Sequence, residues 1–214
     1  MIAPISSSSC HTPRIISRIL TQQQEGLSVD STLELDSHAD TSCAGKSCRI
    51  LEYTNKTCSV HSFSNQYEEL QELPIVKAAT AYDAPDGEVY ILILNQALYL
   101  GDHMTHPLLC PNQARANGII INGIPKHLAQ EIDDTTHSII FPDDHITIKS
   151  ELKGKISKLT TRMPTTEEVE NCRWLTLTSD KDWDPNDPTF KEREENMDDH
   201  ANYVKPDRAI FALS

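Results

Sequence analysis

The chain has 214 residues, enough for one ordinary domain with flanking arms or for two small ones. Hydrophobic residues make up 38%, below the usual range of about 45–50%, so a packed core does not extend along the whole length. The formal net charge of −13 argues against a nucleic-acid-binding module, which would present a basic face.

Residues 1–28 read as a flexible linker, with a serine run followed by Thr21-Gln-Gln-Gln-Glu-Gly26. From Thr32 to Asp36 apolar and polar residues alternate with period 2, which predicts a strand. Arg49–Tyr53 and Thr57–Phe63 read as two further short strands. Leu73–Tyr82 and Glu88–Leu98 flank Ala84-Pro-Asp-Gly87, and Pro followed by Asp-Gly is strong turn chemistry, so a hairpin is expected here. Its second arm, Val89-Tyr-Ile-Leu-Ile-Leu94, is continuously apolar and should be central, covered on both faces.

Leu109–Asn117 reads as a short helix, with Pro111 in its first turn and Gly118 as its stop. Ile119-Ile-Ile-Asn122 is a strand, and Ser138–Phe141 and His145–Lys149 form a second hairpin around Pro142-Asp-Asp144. The region 161–214 reads as an acidic, largely disordered tail. Within it Pro164-Thr-Thr-Glu-Glu-Val169 is a candidate helix start, and Asp180–His200 is dense in charge with Pro185 and Pro188.

One segment carries chemistry. Leu33-Glu-Leu-Asp-Ser-His-Ala-Asp-Thr41 runs a buried-strand pattern into a carboxylate, then a hydroxyl, then a tight turn. Aspartic proteolysis uses two carboxylates that share one proton, one acting as base on a water and the other as acid toward the scissile carbonyl. Only Asp36 has the strand-Asp-hydroxyl-X-Ala context; Asp83, Asp86 and Asp102 do not. Such a protease would therefore have to be a homodimer, with Asp36 contributed twice across a two-fold axis.

Leu35-Asp-Ser-His-Ala-Asp-Thr41 resembles the retropepsin motif, in which a hydrophobic residue precedes Asp-Thr/Ser-Gly-Ala-Asp/Ser. Leu98-Tyr-Leu-Gly101 resembles that family's second element of apolar residues and a glycine, with a helix and a strand following in the family's order. Ala97-Leu-Tyr-Leu100 and Pro107-Leu-Leu-Cys-Pro-Asn-Gln-Ala-Arg-Ala-Asn-Gly118 are similar to the protease region of copia-type retrotransposon polyproteins, in the subgroup reading Leu-Asp-Ser/Thr-His-Ala-Asp-Thr. The likeness covers residues 29 to 165.

The resemblance implies a mostly β, retropepsin-like closed barrel with one short helix over 29–160, between flexible N- and C-terminal arms. It implies an aspartic endopeptidase that processes a retroelement polyprotein, with a polypeptide substrate and no cofactor. Asp36 would be the catalytic carboxylate, and the Ser37 hydroxyl would lock the two active-site loops together. His38, Ala39 and Asp40 would line the substrate, and a flap would fall between Val60 and Val76. His38 stands where the family has glycine, whose missing side chain lets the backbone approach substrate and partner. An imidazole there must point into the cleft or distort the loop, and in its cationic form it would favour the doubly ionised, inactive pair.

Other readings stay open. A catalytically dead or domesticated retroelement fragment would keep the fold as a dimerisation or peptide-binding module. A zinc-stabilised domain is the third: Cys43-x4-Cys48, Cys58-x2-His61 and His103-x2-His106-x3-Cys110 cluster, although at no standard finger spacing. His38 and Asp40 lack a third ligand nearby, so no metal site is assigned. The six cysteines, Cys10, Cys43, Cys48, Cys58, Cys110 and Cys172, are irregularly spaced, which favours reduced thiols and a cytoplasmic setting over a disulfide scaffold. The first residues do not pattern as a signal peptide, and no apolar run approaches the roughly 18 residues of a membrane helix, so no membrane partner is expected.

Overall fold

The computed structural model describes residues 31–60 and 70–197, the side chain of Gln71 excepted. In chain order the strands are β1 (Ser31–Leu35), β2 (Cys43–Gly45), β3 (Arg49–Val60), β4 (Leu70–Asp83), β5 (Val89–Gly101), β6 (Leu108–Leu109), β7 (Ile120–Asn122), β8 (Ser138–Phe141), β9 (Ile146–Lys149), β10 (Glu151–Lys153), β11 (Ile156–Thr161) and β12 (Arg173–Thr176). The helices are α1 (Pro111–Ala116), α2 (Thr166–Asn171) and α3 (Pro188–Glu195). The chain up to Trp183 is one compact unit, and a second begins at Asp184. The first is mostly β, as the alternating patterns predict. Among the described residues no helix is long and apolar enough to cross a membrane.

The principal sheet runs β10-β11-β1-β6-β2-β5-β4-β3, with β12 added alongside β5. A smaller sheet, β7-β8-β9, contains the second predicted hairpin. The first hairpin forms as its turn chemistry dictates. Asp83 pairs with Val89 and Tyr82 with Tyr90. The Gly87 N–H donates to the Ala84 carbonyl at 3.0 Å, and Gly87 takes φ +92°, which glycine tolerates for want of a Cβ. In β5, Leu92 and Leu94 face one buried cluster, Ile91 and Ile93 another, which makes the strand central as expected.

Two parts of the principal sheet meet at one isolated bridge. Beyond Arg49 the outer edge of β4 is free of β3, and there Ala81 pairs with Arg162, the residue after β11. Ala81 N–H donates to Arg162 O at 2.8 Å and Arg162 N–H returns to Ala81 O at 3.0 Å. This bridge joins the β11 side of the sheet to the β4 side, around a core that includes Leu33, Leu92, Leu94, Leu109, Leu159 and Leu175.

Two expectations change. Arg49–Tyr53 and the described part of Thr57–Phe63, up to Val60, belong to one strand, β3; the polar stretch between them is absorbed by register shifts and by Asn55 at φ +59°. The stretch 161–183 is folded. Its Trp174-Leu-Thr-Leu-Thr178 alternation buries Leu175 and Leu177 completely and pairs β12 in parallel with β5. Charge density conceals this strand in a composition-based reading, although the alternation is there. The flap expected between Val60 and Val76 falls in part on 61–69, which lie outside the described residues; its flanks pair in the β3–β4 ladder, Val60 with Leu70.

Two helix caps follow from sequence. In α1 Pro111 opens the helix and the Cys110 thiol accepts from the Gln113 N–H at 3.4 Å. In α2 Thr165 and Glu168 form a reciprocal capping box. Within the second unit, α3 is capped by Asp187, whose carboxylate accepts from the Thr189 N–H at 2.9 Å.

Candidate active site

Asp36 follows the last residue of β1, which lies between β11 and β6. Leu33 is fully buried, so the strand is held from below by the core. From the side it is held by β6. Glu34 N–H donates to Pro107 O and Asp36 N–H donates to Leu109 O, both at 3.1 Å. β6 is flanked on its other edge by β2, the strand that follows β1 in sequence. The loop from Asp36 to Ser42 therefore spans from β1 to β2 over the end of β6, and Cys110 at that end caps α1.

The apolar element beside the Asp36 strand is Leu108–Leu109, immediately before the helix. Leu98–Gly101 instead pairs with β2, through Cys43↔Leu98 and Ala44↔Tyr99. Both stretches are apolar pairs near a helix in sequence, and only the register separates them.

Within the loop the Asp36 carboxylate accepts from the His38 N–H at 2.9 Å, and the Ala39 N–H closes the turn on the Asp36 carbonyl at 3.2 Å. The Asp36 side chain is 22% exposed and that of His38 is 73% exposed. His38 Nδ1 lies 3.7 Å from Asp36 Oδ1 and 3.5 Å from Ser37 Oγ. His38 is absent from the residues with positive φ. The loop thus needs no glycine freedom at this position, and the ring lies in solvent rather than distorting the backbone. Ala39 points inward, 5% exposed, in a cluster with Leu98, Leu100 and Leu108. Anything it offers a ligand is backbone. Asp40 is half-buried at the far side of the turn.

The base of the loop is fixed by residues that the sequence reading does not single out. Ser42 N–H donates to Gln113 Oε1 at 2.8 Å, and Ser42 Oγ accepts from the Cys110 N–H at 3.0 Å. Gln113 is 2% exposed and its amide nitrogen also donates to Gln96 O at 3.3 Å. Trp183 Nε1 donates to the Asp40 carbonyl at 2.8 Å. Gln113 stands between Asn112 and Arg115 in a largely polar helix, so nothing in the sequence marks it as buried. Trp183 is an isolated aromatic in a charged stretch, and its contact is 143 residues away in sequence.

The five described cysteines are free thiols. Burial, then the charges of Asp40, Cys110 and Asp36, pushes the Cys43 thiol up, and burial pushes Cys48 up to about 12. Both stay protonated and act as small apolar side chains rather than nucleophiles. Among the described residues no three His, Cys, Asp or Glu side chains gather as a metal set. The geometry is thus one carboxylate at a strand end, reachable from solvent, on a loop braced from both ends. Comparison with protein-family models, with curated proteins and with solved structures finds no match to this chain.

Proposed function

We propose that this chain is an aspartic endopeptidase of retropepsin type, working as a homodimer that processes a retroelement polyprotein. The observation that carries the reading is Asp36 itself: a carboxylate partly open to solvent at the end of an interior strand, with its main chain pinned to β6 at 3.1 Å. Rigid support of this kind is what a reacting group needs, since positioning supplies much of catalysis. The ring of pairings through Ala81 and Arg162 supports the closed-barrel form of the fold.

Each subunit supplies one such carboxylate, so a two-fold dimer assembles the pair. One Asp36 would take a proton from a water as it attacks the peptide carbonyl, and the other would protonate the carbonyl oxygen. Ser37 hydroxyls would link the two loops, while His38, Asp40 and the Ala39 backbone would line the peptide. The reaction draws on no cofactor, and a cytoplasmic setting fits the free thiols. The second reading, a dead fold retained for dimerisation or peptide binding, is favoured by one feature only, the imidazole at position 38.

The test is peptide-library cleavage at pH 4 to 7 by the wild type and by Asp36→Asn, with and without pepstatin. Cleavage that disappears with both the substitution and the inhibitor supports the protease. A folded, dimeric wild type that cleaves nothing moves the assignment to the binding module.

A further inference from the structure

The segment after β12 returns to the candidate site. It is rooted at Thr178, which is fully buried. The Thr178 hydroxyl accepts from Asn95 N–H at 2.8 Å and donates to Asn95 O at 2.7 Å, and its carbonyl accepts from Asn95 Nδ2 at 2.7 Å. Next, the Asp180 carbonyl accepts from Gln96 Nε2 at 3.1 Å, and Asp182 forms an ion pair with Lys56 of β3. The segment ends at Trp183, on the Asp40 carbonyl.

The anchors have a structural origin. Asn95 and Gln96 form a bulge in β5, where the pairing jumps from Val76↔Ala97 to Ala78↔Leu94 and Gln96 takes φ +51°. A bulge leaves residues out of the ladder and re-aims them. Here one residue of the bulge grips the segment's root. The other joins the segment to Gln113, which holds Ser42. A contact between residues 143 apart carries a loop-closure cost, and these anchors are what make it persist.

We propose that residues 178–183 are a strap that sets the Asp36 loop in its working position, with Trp183 as a positioning residue. This rests on the aspartic-protease reading for its effect on rate, but not for its effect on the loop. The ends of the loop are held at Asp36 and Ser42; the strap holds its middle. Without the indole N–H the turn loosens, Asp36 samples wrong positions, and the chemical step slows while peptide binding changes little.

The test compares the wild type with Trp183→Phe, which keeps an aromatic ring and removes the donor. Amide exchange at Ala39 and Ser42 should quicken roughly tenfold, the scale of one lost hydrogen bond, while Ala81 and Arg162 keep their protection. On a cleaved peptide kcat should fall on the order of tenfold with KM within about twofold. Unchanged exchange at Ala39 and Ser42 in a variant of normal melting temperature overturns the strap. A fall in melting temperature with loosening spread equally to Ala81 overturns it too, by showing a merely structural role. Asp182→Asn, at an exposed ion pair, should move the same amides in the same direction by less, and decides the matter if Trp183→Phe does not fold. If the wild type cleaves nothing, the protease reading fails, and local loosening still supports the strap as a brace of this loop.

Discussion

The β4–β5 hairpin and the Asp36 loop are built by opposite means. The hairpin is held by a turn of four residues and a ladder between sequence neighbours. The Asp36 loop has two short bonds of its own, from the Ala39 N–H to the Asp36 carbonyl and from the His38 N–H to the Asp36 carboxylate. Its other supports come from Leu109, Cys110, Gln113 and Trp183. The hairpin can form early from local contacts, whereas the loop takes its shape only after distant parts of the chain have packed. A reacting group placed on such a loop is rigid in the finished fold and adjustable from outside it.

Substitutions can break that contrast. Leu92→Ala opens a cavity in a fully buried position of β5 and should cost about 2–5 kcal/mol, unfolding hairpin and loop together. Chemical denaturation followed by tryptophan fluorescence and by hairpin amide exchange should give one coincident transition. Two separated transitions would show that the regions are independent and that the loop does not lean on the hairpin.

Gln113→Leu removes the acceptor for the Ser42 N–H in a buried site and should cost about 1–3 kcal/mol. The expected effect is lopsided: exchange at Ser42 quickens more than at any amide of the β4–β5 ladder. Equal changes in both regions would erase the distinction.

The smallest effect is expected where the hairpin meets the capping box of α2. Arg162 donates to Asp83 at 2.7 and 2.8 Å and to Glu168 at 2.7 and 2.9 Å. The Arg162 guanidinium first, then the Thr165 N–H, holds the Glu168 carboxyl down at about 2 against an ordinary 4.5. A depressed carboxyl contributes stability that is present above its unfolded value and is lost as pH falls through the folded one. The wild type should therefore lose about 1–2 kcal/mol between pH 4.5 and 2, after allowing for solvent screening at a site open to water. Arg162→Ala should start lower at neutral pH and fall less over that window. Parallel melting-temperature profiles for the two proteins would sink this account.

Much of the molecule is legible in its residues. Pro85-Asp-Gly87 states a turn, Val89–Leu94 a doubly covered strand, and Pro111 with Gly118 the limits of a helix; each forms within a residue or two of its expected place. Asp36 at the end of an alternating strand is also readable, because a period of two says which side chains face the core. The neighbour of β1 is not legible in this way. Leu98–Gly101 and Leu108–Leu109 carry similar apolar patterns, and the neighbour of β1 was settled by register, which composition does not encode.

The sequence by itself determined the mostly β character, the principal turn and the position of Asp36 at a strand end, since each depends on spacing along a few consecutive residues. Tertiary structure alone decided that β6 lies beside Asp36, that 161–183 belongs to the folded unit, and that Gln113 and Trp183 hold the loop. Those outcomes depend on hydrogen bonds between residues 71 and 143 positions apart, and such pairs are selected by the competition of whole elements for one core rather than by any local propensity.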